Sequence, residues 1–460
     1  MSAFLTRAVS TMSARKTQPI IAIIGATGTG KSDLAVDLAS RFNGEIINAD
    51  AVQMYEGLPI ITNKIPMNER KGIKHHLLGS IGLDEPTWTV QEFLPKALDI
   101  IEDIRSRQKV PILVGGTHYY TQALLFRDHT IEFQQEKSSS QIPAEEKHYI
   151  LSEPTDVILR KLREVDPVMA NRWHPNDRRK IQRSLEIYLE TGKRASETYM
   201  QRRLDEHSNS AGGLRFSTLI LWPFCEREAH KSRLDNRVEK MLQDGLLDEV
   251  SQLMVIRKTK LDAGESVDFT KGIWQSIGFK QFEMYQQALQ SGVMDEKELD
   301  KLKQRAIEQT QAATRRYALA QLKWIRIKLM NALFRANAQR NLFVLDGTDI
   351  NNFQAMVINP ARQLCEKFLD EQDLPKPEEI CAIATELLTP PKEDLTHNPE
   401  NWGVKTCDLC GVKAATPQLW LKHVESRGHR LRLSKKKSRE TKSLVAIDMP
   451  TESENPQRSH

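Results

Sequence analysis

The sequence predicts an α/β fold with a helical insertion and a small metal-bound module near its C-terminus. Three observations carry that prediction. Short apolar runs alternate with stretches of helical spacing, a glycine-rich loop sits at the first strand–helix junction, and two cysteines and two histidines recur at metal-ligand spacing near the end.

The first apolar run, Ile20 to Ile24, leads into Gly25-Ala26-Thr27-Gly28-Thr29-Gly30-Lys31-Ser32. These residues satisfy G-x-x-x-x-G-K-[ST], and Leu34, Ala35, Leu38 and Phe42 follow at helical spacing. In that setting glycines let backbone N–H groups close around phosphate oxygens, and the helix N-terminus adds a favourable dipole. Lys31 offers a point charge and Ser32 a hydroxyl for Mg²⁺. A second strand, Glu45 to Asn48, ends in Asp50. A carboxylate there, beside the loop, faces the ligand crevice of an open α/β sheet.

With 460 residues the chain has room for two or three domains with sizeable cores. Its hydrophobic content of 39% and charged content of 28% describe a soluble globular protein. No apolar run approaches the roughly 18 residues of a membrane span. Cys225, Cys365, Cys381, Cys407 and Cys410 form an odd, sparse set that points to a reducing compartment rather than a disulfide framework. Net charge is only +5, yet residues 301–340 carry +9 and residues 401–440 carry +7, leaving −11 elsewhere. Such asymmetry points to a polyanionic partner, with a solvated helix face as the plainer alternative for the first window.

Residues 1–18 hold Arg7, Arg15 and Lys16 among serines and threonines, with no acid. They read as a mitochondrial targeting segment or as an ordinary disordered tail, and initiation at Met12 would leave a cytosolic form. His75 and His76 are adjacent and point apart, so structural or substrate contacts are expected of them rather than a metal. Val90 to Arg107 is helical, and the strand Val110 to Val114 ends in Gly115-Gly116-Thr117-His118-Tyr119-Tyr120 without Asp or Glu. A nucleoside-triphosphate hydrolase places a Mg²⁺-binding acid at such a strand end, so its absence counts against ATP hydrolysis. Thr117 offers a hydroxyl there instead.

Residues 127–147 are polar and lead into an insertion. Thr155 to Arg203 is helical and basic, through Arg172, Arg178, Arg179, Lys180, Arg183, Lys193 and Arg194, with Asp177 placed to cap a helix. Ser217 to Trp222 returns as a strand. On the next helix Arg233 and Arg237 share a face at i, i+4, with Asp235 between them. Residues 300–335 form a long basic helix, Leu342 to Leu345 a last strand, and residues 372–400, rich in Pro, Lys and Glu, a partly ordered linker.

Near the end, Cys407-x₂-Cys410-x₁₂-His423-x₅-His429 has the spacing of a tetrahedral Cys₂His₂ zinc site, with Trp420 and Leu421 available for its small core. Lys422, Arg427, Arg430 and Arg432 favour nucleic-acid contact; a purely structural zinc knob is the alternative. The run Lys435 to Arg439 reads as a nuclear localisation signal or as further phosphate contacts.

Together these motifs resemble the tRNA dimethylallyltransferases (tRNA isopentenyltransferases, the IPP transferase family), in the eukaryotic form with a C-terminal matrin-type zinc finger. The resemblance rests on Gly25 to Ser32, on Ala49-Asp50-Ala51-Val52-Gln53 with Ile60-Ile61-Thr62-Asn63-Lys64, and on Gly115-Gly116-Thr117. It rests further on His174-Pro175-Asn176-Asp177, Arg233-Leu234-Asp235-Asn236-Arg237, Trp274 to Gly278 and Thr314 to Ala318. It runs from residue 19 to 345 and resumes at the finger. The family's Asp-Ser-x-Gln reads Asp50-Ala51-Val52-Gln53 here, without the serine hydroxyl, and His118 replaces the more usual asparagine.

The resemblance implies a P-loop NTPase-like parallel sheet core with an inserted helical domain and a channel through the middle. It divides the chain into a targeting segment (1–18), the core (19–126), an inserted helical tRNA-contacting domain (127–210) and a return to the core with a basic helical region (211–350). A linker (351–400), the finger (401–440) and a disordered tail (441–460) complete it. The implied reaction moves a dimethylallyl group from dimethylallyl diphosphate to N6 of the adenosine 3′ of the tRNA anticodon, releasing diphosphate. An exocyclic amine is a weak nucleophile, so this chemistry needs a base, an allylic carbon held in line and a stabilised leaving group.

Asp50 is then the expected general base, with Thr117 lining the channel and Arg233 on the leaving group. Gly25, Ala26, Thr27, Gly28, Thr29, Gly30, Lys31 and Ser32 would bind the diphosphate with Mg²⁺. Contacts to tRNA would come from Asp50, Ala51, Val52 and Gln53 and from Arg179, Lys180, Ile181, Gln182 and Arg183. Gln53 would hold the extruded base or fill its vacancy. Structural Zn²⁺ would sit on Cys407, Cys410, His423 and His429. The expected partners are the tRNA anticodon stem-loop and dimethylallyl diphosphate, with no membrane and a monomeric state. The expected locations are mitochondrion and cytoplasm, with the nucleus as a further site. Two alternatives from other classes are a P-loop nucleotide kinase or NTPase with an accessory finger, and a non-catalytic nucleic-acid-binding protein with a relic loop.

Overall fold

β1 (Pro19–Ile23) lies inside a six-stranded parallel sheet ordered β3-β2-β4-β1-β5-β6 in the computed structural model, which describes residues 18–127, 149–207, 213–265, 268, 271–389, 405–414 and 417–436. The other strands are β2 (Gly44–Asn48), β3 (His75–His76), β4 (Val110–Val114), β5 (Ser217–Phe224) and β6 (Leu342–Asp346). Inner strands of a parallel sheet are covered on both faces and therefore read as continuous apolar runs. In β1, Ile20 and Ala22 face one core while Ile21 and Ile23 face the other. The register pairs Ile21 with Ile112 of β4 and Leu219 of β5.

The described residues fall into two units, one within 1–133 and 211–394 and the other within 134–210 and 395–460. In the first unit, α1 (Lys31–Arg41), α2 (Val90–Ser106) and α3 (His118–Leu125) follow β1, β3 and β4. The second unit contains α4 (Thr155–Val165), α5 (Pro167–Arg172), α6 (Arg178–Thr191) and α7 (Ala195–His207). Ile158, Leu162, Met169, Ile181 and Leu185 form their apolar centre. Asp166, fully buried, accepts Met169 N–H at 3.1 Å and Ser196 N–H at 2.8 Å, joining α5 to α7. Asp177 caps α6 by accepting Lys180 N–H at 3.4 Å.

After β5 the first unit continues through α8 (Arg227–Gln243), α9 (Leu246–Asp262), α10 (Phe279–Ser291) and α11 (Glu296–Trp324). The long basic helix does not stay regular to residue 335. It passes through a π turn at Ile325–Leu329 into α12 (Met330–Arg335), a widening that frequently marks functional sites.

One expectation needs correcting. Residues 351–400, read as a linker, fold onto the first unit as far as they are described. A π turn (Gln354–Ile358), α13 (Asn359–Leu369) and α14 (Ala384–Leu388) follow β6. Val357, Ile358, Ala361, Leu364 and Cys365 are buried at helical spacing against β1 and β5 residues, and Cys381 Sγ lies 3.4 Å from Val344 O. Apolar periodicity outweighed the Pro- and Lys-rich composition around it. The expected targeting segment (all but Gln18), the polar stretch 128–148 and the tail 441–460 lie outside the described residues. Among the described residues no helix is long and apolar enough to cross a membrane.

Candidate active site

The loop after β1 takes its shape from its glycines. Gly28 and Gly30 both have φ +80°; a Cβ on Gly30 would meet the Phe353 ring at 2.4 Å, and one on Gly28 would meet Leu234 at 2.9 Å. Phe353, from the segment read as linker, thus packs directly against the phosphate loop. Lys31 Nζ donates to Ala26 O at 2.7 Å, and Thr29 Oγ1 donates to the same carbonyl at 3.0 Å. Desolvation pulls the Lys31 amine down to about 8, opposed by the negative charge of Asp50 and assisted by Arg237. A desolvated ammonium beside backbone donors at a helix N-terminus is an anion site.

Asp50 follows β2 into the same crevice. Its Oδ1 accepts Val52 N–H at 3.1 Å. Burial raises its pKa above the usual carboxylate range, against the lowering effects of Lys31 and of the Val52, Gln53 and Gly116 amides. The Gly115-Gly116 pair is a steric requirement. A Cβ at Gly115 would lie 2.2 Å from Ala49 O, and one at Gly116 would lie 2.7 Å from Asp50 Oδ2. Thr117 Oγ1 accepts Ala51 N–H at 3.0 Å, so this hydroxyl fixes the Asp50–Ala51 backbone. His118, buried next to it, has neither ring nitrogen hydrogen-bonded, and desolvation holds its imidazole neutral with a pKa of about 3.

The two arginines of α8 part company. Arg237 Nη1 donates to Thr27 Oγ1 at 3.0 Å, whereas Arg233 Nη2 donates to Thr348 O at 2.7 Å, beyond β6. Desolvation lowers Arg237 to about 10, leaving it charged at neutral pH. His230 Nε2 donates to Thr27 O at 2.7 Å. Two α11 residues escaped the sequence reading: Gln321 bridges Thr27 and Gly116, and Tyr317 reaches Thr117 and Gln321 through its hydroxyl. Burial and the charge of Asp50 push the Tyr317 phenol far above its usual range. The motif Thr314 to Ala318 marked this helix without showing which side chains face the loop.

Gln53 Nε2 donates to Asn63 O at 2.8 Å, and the buried Glu249 accepts the N–H groups of Ile60 and Ile61 at 2.9 and 2.7 Å. The Gln53 loop and the Ile60–Lys64 segment therefore form one braced surface. His75 and His76 are structural, bonded to Ile73 O at 2.9 Å and Glu45 Oε2 at 2.7 Å.

In the second unit the expected tRNA-contacting residues of α6 divide. Arg179 and Lys180 are exposed, Gln182 is half-buried, and Arg183 pairs with Glu186 at 2.6 Å. Ile181 is fully buried in the helical core, so it supplies packing rather than the contact expected of it. Arg172 is likewise buried, its guanidinium 4.4 Å from the Trp173 ring centroid.

Cys407, Cys410, His423 and His429 converge, their ligand atoms all within 4.8 Å of one another. His429 Nδ1 lies 3.6 and 3.5 Å from the two sulfurs and 3.2 Å from His423 Nε2. Those separations fit the edges of a tetrahedron around one ion of Zn–S about 2.3 Å and Zn–N about 2.0 Å. A hairpin (Lys405–Thr406 with Lys413–Ala414) carries the two cysteines, α15 (Pro417–Val424) carries His423, and a further helical stretch over 427–436 carries His429. Leu421, expected in the finger's core, is 55% exposed; the Trp420 ring lies 6.0 Å from His423 instead. Lys422, Arg427, Arg430 and Arg432 are all exposed.

The IPP transferase family model matches residues 53–328. The chain is 34% identical over 443 residues to the tRNA dimethylallyltransferase of Schizosaccharomyces pombe, covering 93% of this chain and 98% of that protein. It is 33% identical over 436 residues to the tRNA dimethylallyltransferase of Homo sapiens, covering 94% of this chain and 90% of that protein. A solved structure described as snapshots of a eukaryotic dimethylallyltransferase acting on tRNA is 33% identical, with a TM-score of 0.73, over 94% of this chain and 100% of that one.

Proposed function

Because the chain belongs to the IPP transferase family, we propose that it is a tRNA dimethylallyltransferase, moving a dimethylallyl group from dimethylallyl diphosphate to N6 of the adenosine immediately 3′ of the anticodon. The observation that carries the reading is a phosphate loop and a high-pKa carboxylate, Asp50, facing one crevice with no second acid at the β4 strand end. That crevice provides both things an amine alkylation needs: an anion site for the leaving group and a proton acceptor for the nucleophile.

The ionised Asp50 carboxylate takes the proton from the adenine amine as its nitrogen bonds the allylic carbon and the carbon–oxygen bond to diphosphate breaks. Lys31, Arg237 and the loop amides stabilise the charge gathering on the diphosphate. Arg233, one turn away, has guanidinium donors beyond its bond to Thr348 with which to reach the same group. Mg²⁺ would bind the Ser32 hydroxyl and diphosphate oxygens. Outside the finger no group of three carboxylate, imidazole or thiolate ligands gathers among the described residues, so substrate would supply most of its shell. Thr117 holds the Asp50–Ala51 backbone, which needs no serine hydroxyl at position 51 for that purpose. Exposed Arg179 and Lys180, the Gln53 surface and the finger's basic flank are the proposed tRNA contacts. Zn²⁺ on the four finger ligands would have a closed, structural role. The enzyme acts as a monomer in this reading, in mitochondrion and cytoplasm, with the Lys435 run as a nuclear address.

Incubating purified protein with dimethylallyl diphosphate, Mg²⁺ and unmodified tRNA, then digesting the tRNA and weighing its nucleosides, tests the proposal. It expects an adenosine heavier by one five-carbon prenyl unit. Consumption of ATP with no change in the tRNA would support the nucleotide-kinase alternative instead.

A further inference from the structure

We propose that Gln321 is a positioning residue that joins the two ends of the reaction, holding the phosphate loop and the turn beside Asp50 in one register. The inference rests on the transfer reaction proposed above. Buried on α11, Gln321 accepts Thr27 N–H at 2.8 Å through Oε1 and donates to Gly116 O at 2.9 Å through Nε2. Thr27 follows β1 and Gly116 follows β4, two strands that are neighbours in the sheet. A side-chain amide carries an acceptor and a donor on one rigid plane, which is what a bridge from an N–H to a carbonyl requires.

The surroundings are built around that bridge. A Cβ at Gly116 would lie 2.4 Å from Gln321 Nε2 as well as 2.7 Å from Asp50 Oδ2. The amide and the carboxylate thus press on the same residue. One turn earlier on α11, the Tyr317 hydroxyl reaches Gln321 and Thr117, and Thr117 Oγ1 holds Ala51 N–H at 3.0 Å. Arg315, also on α11, pairs with Asp235 of α8, which fixes this helix against the one that presents Arg237. Thr27 therefore receives Gln321 on its amide, Arg237 on its hydroxyl and His230 on its carbonyl. A diphosphate that shifts this part of the loop must move Gln321, and through it the turn that supports the proton acceptor.

The test compares Gln321→Leu and Gln321→Glu with wild type as full-length protein. Rates are measured at saturating tRNA and dimethylallyl diphosphate, with calorimetric binding of Mg²⁺-diphosphate and of tRNA, and with Tm. Gln321→Leu is expected to lower kcat about tenfold or more and to weaken diphosphate binding, while tRNA affinity and Tm stay close to wild type. Gln321→Glu keeps the size and the acceptor but loses the donor and adds a negative charge beside Asp50. It is expected to move the acid limb of the kcat–pH profile upward, against the unchanged background of Lys31 from α1, Arg237 from α8 and Tyr317 from α11.

Gln321→Leu with at least half the wild-type kcat and unchanged diphosphate affinity would overturn the proposal. So would a loss of Tm in both variants that accounts for their lost activity, because Gln321 would then be a structural strut. A wild-type protein that transfers nothing would overturn the underlying transfer reading, and this proposal with it.

Discussion

Strand β2 carries a carboxylate near each end, and the protein treats the two in opposite ways. Glu45, near the amino end, is buried and meets Arg107, Lys109 at 2.9 Å and His76 at 2.7 Å. Hydrogen bonding to Arg107 first, and then to His76 and Lys109, holds its carboxyl far below the usual range. Asp50, just beyond the other end, has Lys31 and Arg237 in its field, yet burial dominates and its pKa goes up. A carboxylate saturated with cations serves the structure; one left short of them in a crevice remains able to take a proton at working pH.

The largest effect expected from breaking this contrast is that of Asp50→Asn. It should lower kcat by about a hundredfold or more with Tm unchanged or raised at neutral pH. The sign follows from the raised pKa: the folded state favours the protonated form, so the ionised carboxylate destabilises it above that value. Retention of a tenth of the wild-type kcat would end the proton-acceptor assignment. Next in size is Arg237→Ala, which should cost about tenfold in kcat/KM for dimethylallyl diphosphate, with Arg233→Ala costing less. Equal losses would show that both guanidiniums reach the leaving group.

The Lys31 ammonium sets the third expectation. Its pKa is lowered to about 8, so kcat/KM for the diphosphate should fall as pH rises through that value. Saturating diphosphate favours the charged form and should move the limb upward. Glu45→Gln should do the reverse of Asp50→Asn, lowering Tm by roughly 3 °C or more at neutral pH with kcat preserved. Arg107 and Lys109 are 36% and 34% exposed, which keeps the loss below that of a fully enclosed pair. Because the Glu45 pKa is depressed, its stabilisation exists above the unfolded-state value and is lost as pH falls toward the folded one. The Tm values of variant and wild type should therefore converge in acid.

The finger extends the same contrast. Its four ligands face one another and leave no open position. Deleting residues 401–460 should therefore raise KM for tRNA a few-fold and flatten its salt dependence, with kcat at saturating tRNA preserved. A collapse of kcat in the folded truncation would mean that the finger helps to build the active site.

What the chain discloses before it folds follows a physical pattern. The bounds of β1, β2, β4, β5 and β6 were legible to within two residues because buried parallel strands are apolar runs closed by glycine or polar turns, as from Ile20 to Gly25, whereas β3, two histidines long, carries no apolar run to reveal it. The phosphate loop, Asp50, the Asp177 cap and the metal ligands were legible because their chemistry depends on short spacing. The roles of Gln321 and Tyr317 were not, since Gln321 meets Thr27 and Gly116, and Tyr317 meets Thr117, across about two hundred residues or more of chain from a long basic helix. Arg233 and Arg237 share a helix face, and only the placement of α8 shows which of them meets Thr27. The folding of residues 354–388 was legible in principle, from Val357, Ala361 and Leu364, but the proline- and lysine-rich stretch after them dominated the reading.

The pH dependence of a single turnover, with tRNA and dimethylallyl diphosphate bound before the pH is changed, tests the central claim most directly. The account predicts a rate that falls as pH is lowered, along a limb set above the ordinary carboxylate range, and the loss of that limb from the residual rate of Asp50→Asn. A flat profile in the wild type, or the same limb persisting in Asp50→Asn, would contradict it.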